Sequence, residues 1–113
     1  MLGRPEELSA QALSAIDDPA NEWFVSVVSL WEIAIKTSIG KLVMPTDFDT
    51  AIELTAATPL PLALAHIKQS QRLPFHHRDP FDRMIIAQAM EEGLTVVTRD
   101  RHFPAYGVPI LKA

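Results

Sequence analysis

Apolar runs of strand length alternate along the chain with stretches of helical periodicity, which predicts an α/β architecture. Ser9 to Ile16 reads as a short helix, with Leu13 and Ile16 three residues apart, closed by the turn cluster Asp17-Asp18-Pro19-Ala20-Asn21. Trp23-Phe24-Val25 is rich in the bulky residues that strands prefer. A helix then begins between Ser26 and Ser29 and runs to Ile39. Gly40 stands where a left-handed C-cap belongs, and Lys36 and Lys41 flank the negative end of the helix dipole. Thr46 is placed to cap a further helix reaching Ala57. Pro59 to Leu62 suits a short edge strand, where proline is tolerated, and Ala63 to Arg72 is helical again.

The segment His76-His77-Arg78-Asp79-Pro80 breaks this pattern and starts the next element. Asp79 is a good N-cap and Pro80 a good first helical residue. The helix that follows is expected to turn Phe81, Ile85, Ile86, Ala89 and Met90 inward and to stop at Gly93. Leu94-Thr95-Val96-Val97-Thr98 is the clearest strand in the chain, and Val108 to Leu111 is the last. Strand, helix and strand at this spacing imply parallel pairing with right-handed crossovers.

At 113 residues the chain is expected to be a single domain, residues 1–113. Hydrophobic residues at 48% and charged residues at 21% suit a globular protein and exclude a disordered one. The apolar stretch from Trp23 to Trp31 is too short to span a bilayer, no signal peptide is legible, and cysteine is absent; the expected location is cytoplasmic. A formal charge of −4 argues against nucleic-acid binding through a broad basic surface. It leaves room for an enzyme that meets phosphate through divalent cations, because the carboxylates that hold such ions make the charge negative.

Three acids stand out. Glu32 lies in the apolar helix Val27-Val28-Ser29-Leu30-Trp31-Glu32-Ile33-Ala34-Ile35, where a carboxylate needs a cation or hydrogen-bond partners. Its structural readings are a capping box with Ser29 and an i,i+4 pair with Lys36. Asp82 lies in a first helical turn, where the dipole alone accounts for an aspartate, and Asp79 reads as a cap. Asp100 follows the carboxyl end of a buried strand, the place where open α/β sheets put their ligands, although a turn residue is an equal reading. Glu32, Asp82 and Asp100 meeting at one sheet edge would offer hard oxygen ligands for Mg²⁺ or Mn²⁺, and such ions support in-line phosphodiester cleavage. The four histidines show no metal-ligand spacing with these acids; His76 and His77 are expected to face solvent, and loop roles are favoured for His66 and His102 as well.

These residues carry a resemblance. Phe24-Val25-Ser26-Val27-Val28-Ser29-Leu30-Trp31-Glu32-Ile33-Ala34-Ile35-Lys36, His77-Arg78-Asp79-Pro80-Phe81-Asp82-Arg83-Met84-Ile85-Ile86-Ala87-Gln88-Ala89, Leu94-Thr95-Val96-Val97-Thr98-Arg99-Asp100 and Tyr106-Gly107-Val108-Pro109-Ile110-Leu111 resemble the PIN domains of bacterial VapC-type toxins. The resemblance implies a three-layer fold with a five-stranded parallel sheet between helices and an acidic Mg²⁺ or Mn²⁺ pocket that cuts RNA. It also implies a homodimer, and a cognate antitoxin that inhibits by occupying the pocket region. Glu32, Asp82 and Asp100 match the family's second, third and fourth acids, Thr98 matches a hydroxyl residue near the metal, and Asp79 lies beside the pocket as a cap.

One departure stands against these matches. Family members begin with an apolar strand ending in an aspartate, whereas Met1 to Ser9 resembles the stretch after the helix that follows it. That strand lies mid-sheet in the family, so its absence is expected to leave two parallel strand pairs with unpaired inner edges and to weaken metal binding and cleavage. A shortened sequence of an active enzyme is preferred over a degenerate fragment that exchanges strands between subunits. The alternative function is a non-catalytic module for dimerisation or antitoxin binding. An unrelated phosphoryl-transfer fold is disfavoured, because the glycines at 3, 40, 93 and 107 form no phosphate-cradling loop.

Overall fold

Ser26 ends one element and begins the next. In the computed structural model, which describes residues 18–44, 46–98 and 100–112, strand β1 (Phe24–Ser26) runs directly into helix α1 (Val27–Ser38). The Ser26 hydroxyl accepts the Val28 N–H at 3.0 Å, satisfying one of the donors that a helix start leaves open. Ser29 therefore lies inside the helix, where it is buried, and the capping box expected of Ser29 and Glu32 does not form. The far end closes as expected: Gly40 has φ 76°, Lys41 N–H reaches Lys36 O at 2.9 Å, and Gly40 N–H reaches Thr37 O at 3.2 Å.

Helix α2 (Phe48–Thr55) starts one residue later than its sequence suggests, because the Asp47 carboxylate accepts the Thr50 N–H at 2.8 Å and takes the capping role expected of Thr46. Ala56 adopts a left-handed conformation and ends the helix short of Ala57. Strand β2 (Thr58–Leu60) pairs in parallel with β1, Phe24 opposite Thr58 and Ser26 opposite Leu60. Helix α3 (Leu64–Arg72) leads to a loop and then to α4 (Pro80–Glu92), which Gly93 ends at φ 65°. Strand β3 (Val96–Thr98), a 3₁₀ turn (Phe103–Tyr106) and strand β4 (Ile110–Lys112) complete the chain, with β3 and β4 again parallel. The expected helix at Ser9 to Ile16 lies outside the described residues.

The core forms where α4 meets the loop after α3 and the 3₁₀ turn: Leu73, Ile86, Ala87, Ala89, Phe103, Tyr106 and Val108 are buried together. The inward face of α4 differs from expectation. Met90 is exposed, whereas Arg83 and Gln88 are buried. Both polar side chains are satisfied, which is what makes their burial tolerable. Gln88 accepts a hydrogen bond from the Ser26 hydroxyl and donates to Pro61 O at 3.3 Å, tying α4 to the ends of β1 and β2.

Among the described residues the strands form two separate two-stranded sheets, β1–β2 and β3–β4. Between them lies a cavity of about 680 Å³, lined by residues of both sheets such as Val25, Leu60, Val97 and Leu111, with Ser29 and Ile85 from the helices. Among the described residues β1 and β3 thus each pair on one side only. At this cavity Trp23 keeps its indole N–H buried with no hydrogen-bond partner among the described residues.

Candidate metal centre

Asp79 accepts the N–H groups of Phe81 at 2.8 Å and Asp82 at 3.2 Å, so α4 opens with its first turn fixed and Asp82 held in it. Asp100 arrives from the other direction, just beyond β3. Its N–H donates to Thr98 Oγ1 at 3.0 Å, and its carboxylate Oδ1 accepts the His102 N–H at 2.8 Å. These local bonds turn the chain sharply at the strand end and aim the carboxylate back toward α4.

His77 joins the two acids. Its Nε2 lies 2.8 Å from Asp82 Oδ2 and 3.0 Å from Asp100 Oδ2. The Asp79 N–H faces Nδ1 at 3.4 Å, so Nδ1 accepts while Nε2 donates toward the two carboxylates. His102 approaches from outside, with Nδ1 2.9 Å from Asp100 Oδ1 and its ring stacked on that of His77 at a centroid distance of 4.8 Å. Ligand atoms of His77, Asp100 and His102 all lie within 4.8 Å of one another. The His77 side chain is only 15% exposed, so the expectation that it faces solvent is not met. Nor is His66 a loop residue: it is buried in α3, with Nδ1 accepting the Ala63 N–H at 3.0 Å and Nε2 facing Glu92 at 2.8 Å.

A second network holds the His77 loop in place. The His77 N–H donates to the Tyr106 hydroxyl at 2.8 Å, and that hydroxyl donates to Pro74 O at 2.8 Å. Arg83, buried and stacked over the Phe75 ring at 4.3 Å, sends Nη1 to Pro74 O at 2.9 Å and Nη2 to Ser70 O and Leu73 O, each at 3.1 Å. A guanidinium suits this work because its planar fork presents several donors in fixed directions.

The two acids differ electrostatically. Partial burial, with the nearby Asp79 charge, raises the Asp82 pKa above that of an ordinary carboxyl, against the opposing pull of His77. For Asp100 burial also pushes upward, but hydrogen bonds from the His102 backbone and ring and from His77 outweigh it, and the pKa falls below the ordinary value. Carboxylates held so close, one of them reluctant to ionise, form a place where a cation relieves repulsion.

Of the acids singled out from sequence, Asp82 and Asp100 are brought together and Glu32 is not in their hydrogen-bonded group. Glu32, partly exposed, pairs with Lys36 at 3.1 Å, the i,i+4 contact expected of it. Its neighbour Trp31 meets Phe81 edge-on at 5.3 Å, which sets this part of α1 beside the first turn of α4. His77, His102, Tyr106 and Arg83 had not been singled out for this site. Their signal in the sequence is faint: a histidine two residues ahead of an N-cap, and an arginine one residue after an acid.

Beyond the chain itself, a family model described as PIN domain matches residues 1–109. No curated protein and no solved structure matches the chain.

Proposed function

The chain belongs to the PIN-domain family, and from that premise we infer that it is a metal-dependent endoribonuclease, the toxin component of a VapC-type toxin–antitoxin pair. PIN domains are generally nucleases that use divalent metal ions, and this supports the enzyme reading ahead of a purely structural module. The observation that carries it is the meeting of Asp82 and Asp100, from segments eighteen residues apart, on one nitrogen of His77. Their oxygens are the hard donors that Mg²⁺ or Mn²⁺ prefers, so the donor set fits such an ion.

In this reading Asp82 and Asp100 hold the cation, and Glu32 joins them from α1 by giving up Lys36. When bound, the ion polarises a phosphoryl oxygen and supplies an activated water. Thr98 fixes the Asp100 backbone, and Asp79 fixes the turn that carries Asp82. His77 shares its N–H between the acids and so limits their mutual repulsion while no cation is present.

The same reading expects RNA as substrate, a cognate antitoxin and a second copy of the chain as partners, and a cytoplasmic setting. Among the described residues no helix is long and apolar enough to cross a membrane. Trp31, Ile39, Leu42 and Val43 are exposed on and just after α1 and offer apolar surface to protein partners.

The test is RNA cleavage with Mg²⁺ or Mn²⁺ and with chelator, for the chain and for Asp100→Asn. Metal-dependent cutting that falls in Asp100→Asn is expected. Equal cutting by the two, or cutting that survives chelation, rules out the acid site.

A further inference from the structure

Resting on the nuclease reading, we propose that the centre at Asp82 and Asp100 takes nitrogen ligands, with His77 Nε2 and His102 Nδ1 joining Asp100 on a divalent transition ion. Among the described residues the carboxylates that meet at His77 are Asp82 and Asp100, while Glu32, the third acid of that reading, is paired with Lys36. Mg²⁺ binds such a set through one or two carboxylates and keeps most of its water. Two imidazoles change the chemistry, because imidazole nitrogen suits transition ions such as Co²⁺, Ni²⁺ and Zn²⁺ and adds little for Mg²⁺.

The geometry is close to that of a bound ion. Ligands about 2.1 Å from one ion lie about 3.0 Å apart when adjacent and about 4.2 Å apart when opposite. His77 Nε2 and Asp100 Oδ2 are 3.0 Å apart, and His102 Nδ1 and Asp100 Oδ1 are 2.9 Å apart. The widest spacing in the trio is within 4.8 Å. Closing it to the adjacent spacing of a facial set needs a shift of up to about 1.8 Å by these radii. His102 can supply that shift, because its side chain is 43% exposed and, among the described residues, its ring hydrogen-bonds to Asp100 alone.

His77 must present a lone pair at Nε2, which moves the ring proton to Nδ1. What it gives up there is the 3.4 Å contact with the Asp79 N–H, at the weak end of hydrogen bonding. The ring itself does not have to move, since its own backbone N–H is anchored to Tyr106 and its carbonyl lies 3.4 Å from Arg83. A two-histidine, one-carboxylate set leaves positions open for water and substrate, as catalytic metal sites require.

The experiment titrates the full chain with Co²⁺ and with Mg²⁺ by calorimetry, alongside His102→Asn, His77→Asn and Asp100→Asn. Mn²⁺-loaded samples are examined by pulsed electron paramagnetic resonance for coupling to nitrogen. The expected result is imidazole nitrogen coupling in the wild type, and Co²⁺ affinity about tenfold or more weaker in His102→Asn, with Mg²⁺ affinity unchanged. Asp100→Asn is expected to lose both ions. Circular dichroism establishes that each variant is folded; should His77→Asn unfold, the half-exposed His102 carries the comparison alone. Mn²⁺ bound without nitrogen coupling, or His102→Asn and wild type binding Co²⁺ equally, overturns imidazole ligation while leaving the acid site intact. Failure of the wild type to bind any of the three ions overturns both readings.

Discussion

Arg83→Met tests the claim that a buried guanidinium organises the His77 loop. Among the described residues Arg83 meets no carboxylate; its charge is spread over carbonyl oxygens, of which Ser70 O, Leu73 O and Pro74 O lie within 3.1 Å. Methionine fills much of the same volume, so the cavity contribution is small and the loss is mostly one of hydrogen bonds. Pro74 O keeps a partner in the Tyr106 hydroxyl and Ser70 O one in the Leu73 N–H at 3.3 Å, but Leu73 O is left to find water in a half-buried place. At about 1–3 kcal/mol for that stranded acceptor and about 1 kcal/mol for each of the two other hydrogen bonds lost, the expected cost is about 3–5 kcal/mol. That is a large share of the roughly 5–15 kcal/mol that holds a typical domain folded. Urea denaturation read by circular dichroism measures it directly. The same variant should bind divalent ions more weakly than the wild type under conditions where both are folded, because the His77 carbonyl and the Tyr106 hydroxyl lose Arg83 as a neighbour. A loss of less than about 1 kcal/mol would mean that the arginine merely occupies the loop and does not build it.

Asp82→Asn should raise the melting temperature at pH 7, since a carboxyl whose pKa is raised on folding penalises the native state once pH climbs above the ordinary value near 3.8; the gain should vanish at pH 3, and a pH-independent effect would contradict the assignment. Asp100 has the opposite sign: its lowered pKa stabilises the fold above pH 3.8 and that contribution disappears as pH falls through the folded value, so Asp100→Asn should lose most relative stability near neutrality. Asp79→Ala removes the cap of α4 at a cost of about 1 kcal/mol, and it should also lower the Asp82 pKa by deleting a neighbouring charge, visible in a carboxyl titration by nuclear magnetic resonance. Gln88→Ala, which severs the tie from α4 to Ser26 and Pro61 and opens a void at a fully buried site, should cost about 2–4 kcal/mol by chemical denaturation.

Helix boundaries at Gly40 and Gly93 were readable because a left-handed residue is a local requirement that glycine meets at least cost, whereas the left-handed Ala56 carried no such mark. The cap and proline at Asp79 and Pro80 were readable for the same reason: capping is decided within four residues. Where two local solutions compete, the sequence is ambiguous. Thr46 and Asp47 both cap well, as do Ser26 and Ser29, and the choice falls to whichever the neighbouring strand brings into register. The inward face of α4 was legible only in its apolar half. Hydropathy assigns Met90 to the core and Arg83 to solvent, yet Arg83 is surrounded by carbonyls that a loop beyond α3 delivers, and that delivery is a tertiary event.

The site follows the same division. Each acid could be placed on its element from sequence: Asp82 by the cap, Asp100 by the strand end. That the two share an imidazole depends on the loop from Leu73 to His77 being folded under Tyr106, thirty residues away in the chain by order of magnitude. No spacing rule relates His77 to Asp100, because the distance between them is set by how α4 packs against the segment after β3. The histidines looked bland in one dimension for that reason, and a reading that ranked residues by motif alone passed over the group that joins the acids. Metal centres assembled from loops at the ends of helices and strands share this property: the donors with regular spacing are the visible ones, and the donors supplied by tertiary contact determine which ion is held.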